Sequence, residues 1–491
     1  MNISKTLKKM KSTYIKSLLL LLISGFTACE AVVDDLNTDP NNPTDASAEL
    51  MLTGVQLADM SIHEGHTARV AGMWSGYFTG IARQYPDFSN YNATGATFDQ
   101  IWENIYAAVV NNGNIIIEKS QGLDNRLMIG IVKVIQAHAL GTAAACWGDI
   151  PFTETGNIRT FPNPKFDPQE EVYQNLQLML DEALELLQSG LGSVSPDADI
   201  FLQGDGQKWI EVAHTLKARL YLEQRNYPAA FEQAALGISS PENSLMAPHG
   251  TVINSNENLM FAFLQRGRSG DMSSLNTYLS KILNPENAAY KGNPKTNEEA
   301  RFQYYFLNTD NLANITPNTS SEEGNSGIFA RDASFPLITY QENLLIQAEA
   351  GMRAEGFETG LERLNAYRSY LQSGASMHPS YSEGSLAFRY EPYERADFSE
   401  SGMAYKAGMD ENESLLHEIL LERYVAFFGQ KLGFIDIRRT RMEKAGVRPT
   451  PNVGNALPER FLYSQNEINS NTNAPSPVPG LFNPTPVNVS P

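Results

Sequence analysis

The sequence of 491 residues contains only two cysteines, Cys29 and Cys146, so the fold has little disulfide chemistry to rely on. Cys29 closes an N-terminal leader, and if it is acylated there, Cys146 has no partner and is predicted to be a buried, unreactive thiol. Basic residues are also scarce, since 37 lysines and arginines face 56 aspartates and glutamates, a formal net charge of −19. Nucleic acid requires a basic surface, so this balance argues against it and favours neutral or cationic ligands.

The sequence also lacks the common catalytic and cofactor motifs. No glycine-rich phosphate loop is present, and in 72–76 the serine lies one place too late for a nucleophile elbow. The histidines of His63-Glu64-Gly65-His66 are three residues apart, whereas the zinc-protease motif needs four. We therefore predict no metal site, no cofactor and no catalytic residue. Carboxylates are abundant, so a glycosidase pair is neither excluded nor located by counting.

The first 29 residues have the pattern of an export signal. Five lysines between Lys5 and Lys16 precede the apolar run 18–23, and small residues lead to Cys29. The run is far shorter than the roughly 20 residues that span a bilayer. The cysteine at the cleavage point is typical of a bacterial lipoprotein signal, which predicts a signal peptide over 1–28, lipid on Cys29 and a polar tether over 29–48. No later segment is predicted to cross a membrane.

Apolar residues recur at helical spacing along most of the remaining chain. The predicted helices include 168–188, 208–224, 229–235, 344–353 and 360–371. Asp167 is predicted to cap the first of these. Small residues and short turns between successive helices resemble tetratricopeptide hairpins, which must stack to bury their apolar faces. The predicted fold class is mainly α (all-α), with tetratricopeptide-like helix pairs.

Irregular segments separate these helices. Asn, Ser, Gly and Pro accumulate over 254–326, which predicts a loop-rich insert in a single domain spanning 49–491. Strand signals are thin, and 259–264 and 334–338 are the two candidates. The tail after Asn466 is rich in Asn and Pro and is predicted to be irregular.

One aromatic segment suggests a binding site. Between Arg83 and Asn92, aromatic rings alternate with Arg, Gln, Asp and Asn, which suits a neutral sugar because rings stack on its apolar face while amides bond its hydroxyls. The candidate ligand-binding residues are Trp74, Arg83, Gln84, Tyr85, Asn90 and Tyr91. A second aromatic cluster beside the polar loops consists of Phe302, Tyr304, Tyr305 and Phe306.

Several short motifs, in order along nearly the whole chain, resemble those of the SusD/RagB family of Bacteroidetes outer-membrane lipoproteins. They are Asn37 to Thr44 (NTDPNNPT), Gly148-Asp149-Ile150-Pro151, Lys208-Trp209 with Leu216-Lys217-Ala218-Arg219-Leu220, Glu342 with Ala348-Glu349-Ala350, Leu364-Asn365 with Arg368, Glu422-Arg423 with Phe427-Phe428-Gly429, and Asp436-Ile437-Arg438-Arg439. Glu299-Ala300-Arg301 departs from the D-P-R common in that family.

The resemblance implies a SusD-like helical fold on the cell surface, anchored by lipid in the outer membrane. It implies a protein that is not an enzyme and that delivers captured oligosaccharide to a SusC-like TonB-dependent transporter. Glu342, Arg368, Glu422 and Arg423 are then expected to be structural. Three alternatives stay open: the same scaffold binding peptide or another nutrient, a surface glycoside hydrolase, and an assembly partner of the transporter without a ligand.

Overall fold

The computed structural model describes residues 46–310, 312–322 and 325–489. The predicted signal peptide 1–28, Cys29 and nearly all of the tether 29–48 lie outside the described residues. The chain divides into two compact units, Met1–Leu50 and Met51–Pro491. Only the last residues of the first unit are described, so the account below concerns the second.

The described chain is mainly helical, which confirms the predicted fold class. The α-helices are α1 Ala48–Glu64, α2 His66–Trp74, α3 Tyr85–Ser89, α4 Asp99–Glu103, α5 Asn112–Gln121, α6 Arg126–Trp147, α7 Gln169–Gln188, α8 Gly206–Glu223, α9 Tyr227–Ala235, α10 Leu259–Ala262, α11 Tyr278–Leu283, α12 Glu299–Tyr305, α13 Tyr340–Glu355, α14 Phe357–Gln372, α15 Pro379–Ser382, α16 Glu411–Ala426, α17 Leu432–Arg439 and α18 Gln465–Ser470. Two π-helical segments, Asn104–Asn111 and Phe263–Gly267, continue α4 and α10. Short 3-10 turns lie at Gly95–Phe98, Pro241–Asn243, Leu312–Asn314, Arg395–Phe398 and Pro486–Asn488.

The strands are short, and they pair with one another to close loops of the chain. They are β1 Thr79–Gly80, β2 Ile150–Pro151, β3 Phe166–Asp167, β4 Leu245–Ala247, β5 Met272–Ser273, β6 Thr296–Asn297, β7 Phe306–Leu307, β8 Thr316–Pro317, β9 Ser321–Glu322, β10 Asn325–Ser326, β11 Phe335–Ile338 and β12 Arg389–Tyr390. All pairs are antiparallel: β1 with β5, β2 with β3, β4 with β11, β6 with β12, β7 with β8, and β9 with β10. The ladder of β4 and β11 brackets the loop-rich insert.

Of the two predicted strands, one is confirmed and one is wrong. β11 occupies the segment predicted at 334–338. The segment 259–264 is helical instead, because the Asn258 side chain accepts hydrogen bonds from the backbone N–H groups of Met260 and Phe261 and so caps α10. Short apolar runs do not distinguish a strand from a buried helix by periodicity alone.

The predicted helices are confirmed, but the cap predicted for α7 is wrong. The Asp167 carboxylate accepts hydrogen bonds from the backbone N–H groups of Phe152 and Thr153, at 3.0 and 2.8 Å. Asp149 accepts the N–H of Gln169, the first residue of α7, at 2.8 Å. Asp167 therefore closes the loop that precedes the helix, and a carboxylate from before that loop satisfies the helix start.

Two helix pairs pack in the predicted tetratricopeptide-like manner. Gly356, at φ +100°, is the one residue between α13 and α14, and a Cβ on Gly360 would lie 2.6 Å from the Met352 Cβ. Glycine therefore allows both the turn and the close approach. α8 and α9 form the second pair, and it packs against α13 through a small-residue core of Ala218, Leu222, Ala230, Ala234, Ile346 and Ala350.

Helix α6 corrects the expectation that no later segment could cross a membrane. Arg126–Trp147 is long and apolar enough by length and composition, but 89% of its most apolar window is buried inside the fold. A helix that is buried on all sides is apolar all round, so α6 is a core helix of this unit. Cys146 lies near its end, and burial raises the pKa of the Cys146 thiol to about 11, which agrees with the predicted inert cysteine.

A buried ion network joins α13, α16 and α17. The Glu349 carboxylate accepts hydrogen bonds from Arg439 at 2.6 and 2.8 Å and from Arg353 at 3.0 Å. Arg423 lies 3.2 Å from Glu349 and donates to Asp436 at 2.9 Å. Burial alone would raise the pKa of Glu349, but the Arg439 and Arg353 guanidinium groups hold it well below its ordinary value.

A second network joins α12 to α16. Arg301 donates to Glu298 at 2.6 Å and to Glu422 at 3.1 Å, and Lys291 bridges the same two carboxylates. Burial opposes ionisation of Glu298, yet Arg301 and Lys291 lower its pKa to about 2. Glu299-Ala300-Arg301 thus departs from the expected D-P-R pattern but keeps its arginine, which is fully paired.

The residues expected to be structural are confirmed as such. Arg219 and Glu342 form a buried bidentate pair at 2.6 Å, and Arg368 donates to the backbone oxygens of Glu391 and Lys295 at 2.7 and 2.8 Å. Glu422 and Arg423 lie in the two networks described above. These four residues, here called the signature residues, therefore hold helices and loops together.

Replacing Glu349 with Gln should strongly destabilise the fold. The substitution keeps the side-chain volume but removes the one carboxylate that three guanidinium groups share, so that Asp436 alone faces Arg423 and Arg439 while Arg353 keeps only Glu443. Breaking a buried ion pair typically costs about 3–5 kcal/mol. Because the folded-state pKa is lowered, the carboxylate stabilises the protein above its ordinary pKa of 4.5, and that stabilisation fades as the pH falls further. Urea unfolding at neutral and acidic pH measures both effects.

Glu185, exposed on α7, provides the control for this measurement. Glu185→Gln should leave the free energy of unfolding within about 0.5 kcal/mol of the wild type. A loss of less than about 1 kcal/mol in Glu349→Gln would contradict the role assigned to the network.

Candidate ligand-binding site

The aromatic residues predicted to bind ligand are packed in the interior. Trp74, Tyr85 and Tyr91 expose 0%, 3% and 8% of their surface. The Trp74 indole N–H donates to the Phe88 carbonyl at 2.8 Å, and the Tyr91 hydroxyl accepts the backbone N–H of Asn452 at 2.8 Å. The segment predicted to be a loop contains the short helix α3, and the rings of Tyr85 and Tyr91 are buried.

The predicted stacking role is therefore corrected: none of these three rings presents a face to a ligand in this structure. The polar candidates are placed differently, since Gln84 and Asn90 are exposed and Arg83 is half exposed while paired with buried Asp271. Ligand binding by these polar residues stays a prediction.

A different concave site, here called cleft A, lies where five chain segments meet. It is bounded by 241–246, 304–305, 326–341, 370–378 and 426–430 and has a volume of about 550 Å³. The β4–β11 ladder and the starts of α13 and of the turn after α16 position its walls. A cleft of this size falls within the range of small-molecule sites.

Aromatic rings form the apolar wall of cleft A. Tyr305, Phe329 and Phe428 are buried, with the Phe428 ring 5.0 Å from Tyr305 and 5.4 Å from Phe329. Tyr304 and Tyr370 also line the cleft and are only partly buried. Flat rings of this kind are the surface on which the apolar face of a sugar stacks.

Polar groups with spare hydrogen-bonding capacity surround these rings. Among the described residues, none bonds to the Ser376 hydroxyl, although that oxygen is buried, and none bonds to the Tyr304 hydroxyl or the Gln430 amide. His378 uses Nδ1 toward Ser380 at 2.8 Å, which leaves Nε2 available. Buried polar groups are normally bonded, so the Ser376 hydroxyl needs water or a ligand, and the other groups remain available to bind one.

The charge of cleft A is nearly neutral. Among the described residues that line it, Asp332 is the carboxylate, and there is no lysine or arginine. Anionic ligands are recognised by guanidinium or ammonium groups, which this lining does not offer. The cleft therefore suits a neutral, hydroxyl-rich ligand.

Comparison with known proteins identifies the family of the chain. The SusD-like family described as "Starch-binding associating with outer membrane" matches residues 40–464.

The chain belongs to the SusD-like family.

Solved structures agree on the fold. A SusD/RagB family protein from Bacteroides thetaiotaomicron is 19% identical, covering 87% of this chain and 95% of that one, with a TM-score of 0.64. A SusD homolog from Bacteroides uniformis is 18% identical over 91% and 100% of the two chains, at 0.65. A structure named a chitin-binding protein is 16% identical over 90% and 100%, also at 0.65. Comparison with curated proteins gives no significant match.

This SusD-like chain also has a buried group of potential metal ligands, Asp59, His63 and His138, whose ligand atoms lie within 4.8 Å of one another. The two imidazole rings stack 3.7 Å apart and within 1° of parallel. An imidazole nitrogen directs its lone pair in the ring plane, and two separate parallel planes share no point, so one metal ion cannot be held by both rings. His63 is moreover fully engaged, with Asp59 O at 2.7 Å and Thr142 Oγ1 at 2.9 Å. The geometry does not fit a metal.

The same region of the SusD-like fold contains a small internal cavity of about 10 Å³, lined by His138, Arg219, Glu223 and Lys431. His138 Nε2 has no hydrogen-bond partner, and no described residue accepts a hydrogen bond from Lys431 Nζ. A space of this size holds about one water molecule. Burial and the neighbouring Arg219 charge lower the pKa of Lys431 to about 7, while burial raises that of Asp59 to about 8.

Replacing Lys431 with Met should stabilise this SusD-like protein. The ordinary pKa of lysine is 10.5, so the unfolded chain binds the proton more readily than the folded one between about pH 7 and pH 10.5. The burial cost is therefore full below about pH 7 and fades as the pH rises toward 10.5. We expect a gain of about 1–4 kcal/mol near pH 6 that becomes smaller near pH 9. Urea unfolding of both proteins at the two pH values measures it, and a Lys431→Met variant that is less stable at both would contradict the assignment.

Proposed function

We propose that this protein is a cell-surface lipoprotein that captures a neutral oligosaccharide in cleft A and delivers it to a SusC-like TonB-dependent transporter in the outer membrane. The observation that carries the proposal is the lining of cleft A: aromatic faces beside unbonded hydroxyl, amide and imidazole groups, without a lysine or arginine among its described residues. Membership in a family described as starch-binding supports the same substrate class.

Binding without cleavage fits this lining better than hydrolysis does. Most glycosidases need two carboxyl groups that flank the scissile bond. Among the described residues that line cleft A, Asp332 alone carries a carboxylate. We therefore propose that the protein holds its glycan without cleaving it. The peptide alternative is tested in the same experiment.

Native gels cast with starch, chitin, an anionic polysaccharide or a peptide mixture test the ligand class. The wild type should be retarded by a neutral glycan and release no products from it. Tyr304→Ala should weaken binding at least about tenfold, because it removes a ring face and a free hydroxyl, and Tyr304→Phe should lose less. Tyr405, a partly exposed tyrosine outside cleft A, gives the matched control Tyr405→Ala.

The same gels separate cleft A from the segment indicated by the sequence. Gln84→Ala and Asn90→Ala alter exposed side chains and leave the core intact. Retardation lost in these two variants and kept in Tyr304→Ala would place the site at the loop instead. Retardation by the peptide mixture alone would replace the glycan with a peptide ligand.

The membrane anchor is tested separately. Cys29→Ala removes the proposed lipid attachment, so the protein should move from the membrane fraction to the soluble fraction and lose incorporation of labelled fatty acid. The acyl chains of a lipoprotein supply its membrane affinity, and stable anchoring needs more than one of them. A protein without lipid therefore has no comparable affinity for the membrane. A Cys146→Ala variant is the control, and unchanged fractionation of Cys29→Ala would refute the anchor.

A further inference from the structure

A second concave site, here called cleft B, lies beside cleft A. It is bounded by 284–303 and 309–310 together with Arg389, and its volume is about 580 Å³. Helix α12 contributes to both clefts: Glu299, Phe302 and Gln303 line cleft B, whereas Tyr304 and Tyr305 line cleft A. The two clefts therefore share α12 as a wall.

The separation between the clefts is small. At 1.5 Å per residue, the seven residues of α12 extend about 10 Å. Gln303 and Tyr304 are consecutive residues on this helix and line different clefts. The linings of the two clefts therefore adjoin along a single short helix.

The lining of cleft B offers unused polar groups. Among the described residues, none bonds to the Gln303 amide or the Glu286 carboxylate, and Asn297 uses its side-chain oxygen toward the Glu299 N–H but leaves its NH2 group available. Tyr290 is partly exposed, and its hydroxyl accepts the Glu298 N–H at 2.9 Å, so its own proton remains to donate. Amides and carboxylates are suitable partners for sugar hydroxyls.

The charge of cleft B disfavours a polyanion. Among the described residues that line it, the carboxylates are those of Glu286, Glu299 and Asp310, and the cation is Arg389, which already donates to the Pro294 carbonyl at 2.7 Å. The two clefts thus share a preference against anionic saccharides, and the amides of cleft B extend the hydroxyl-binding chemistry of cleft A.

We propose that cleft B binds a further segment of the same neutral saccharide chain that occupies cleft A, so that the protein recognises long chains across α12. This inference rests on the proposed function. Two linked contacts convert the second binding step into an intramolecular one, which raises the affinity for a ligand long enough to make both. A short fragment fills one cleft and gains nothing from the other.

Calorimetric titration with maltose and maltooctaose, and with chitobiose and chitohexaose, tests this length dependence. For the neutral glycan that binds, the wild type should bind the long member at least about tenfold more tightly than the short one. The double variant Gln303→Ala/Glu286→Ala should lose most of that difference and bind the short member as the wild type does. The matched control Gln188→Ala/Glu185→Ala carries the same substitutions at exposed positions of α7 and should behave as the wild type.

The outcomes separate this inference from the function on which it rests. Equal affinity for short and long members, or a length dependence that survives in the double variant, would overturn cleft B and leave the proposed function standing. Binding of no member of either series by the wild type would overturn both for these glycans. An equal loss for short and long members in the double variant would assign Gln303 and Glu286 to the primary site and also refute a second segment.

Discussion

The fold depends on guanidinium and carboxylate groups that pair in its interior. One network centres on Glu349 and joins α13, α16 and α17, and another centres on Glu422 and joins α12 to α16. An unpaired buried charge is costly, so each network requires its members to meet at hydrogen-bond distance. This requirement fixes where α12 lies relative to the helix core. Because α12 separates the two clefts, the interior ion pairs also determine the shape of the binding surface.

Local patterns predicted the helices well and their contacts less well. Apolar spacing placed α7 within one residue of its observed start, because that periodicity is a property of the helix itself. The cap was misassigned, since Asp167 finds partners at Phe152 and Thr153 in the preceding loop, and only the closed loop shows this. The four signature residues could be assigned from motifs, whereas their individual partners required the folded chain.

The candidate site shows the same limit more strongly. Aromatic and amide residues around Tyr85 and Tyr91 suggested a sugar-binding loop, yet the Tyr91 hydroxyl is held by Asn452, far along the chain, and the rings are buried. Cleft A is assembled from five separated segments, so no single stretch of sequence contains it. Its one sequence signal was the cluster from Phe302 to Phe306, in which the pattern did not show that Tyr304 faces one cleft and Gln303 the other.

The burial of the ion networks also determines how the protein responds to salt. Mobile ions screen charges at the surface over about 8–10 Å at physiological ionic strength, but they cannot enter the spaces that hold Glu349, Arg439 or Glu298. Added salt therefore weakens the repulsion among the many exposed carboxylates and leaves the internal pairs almost unchanged. The fold is insulated from the ionic composition of the surrounding medium, while its acidic exterior is not.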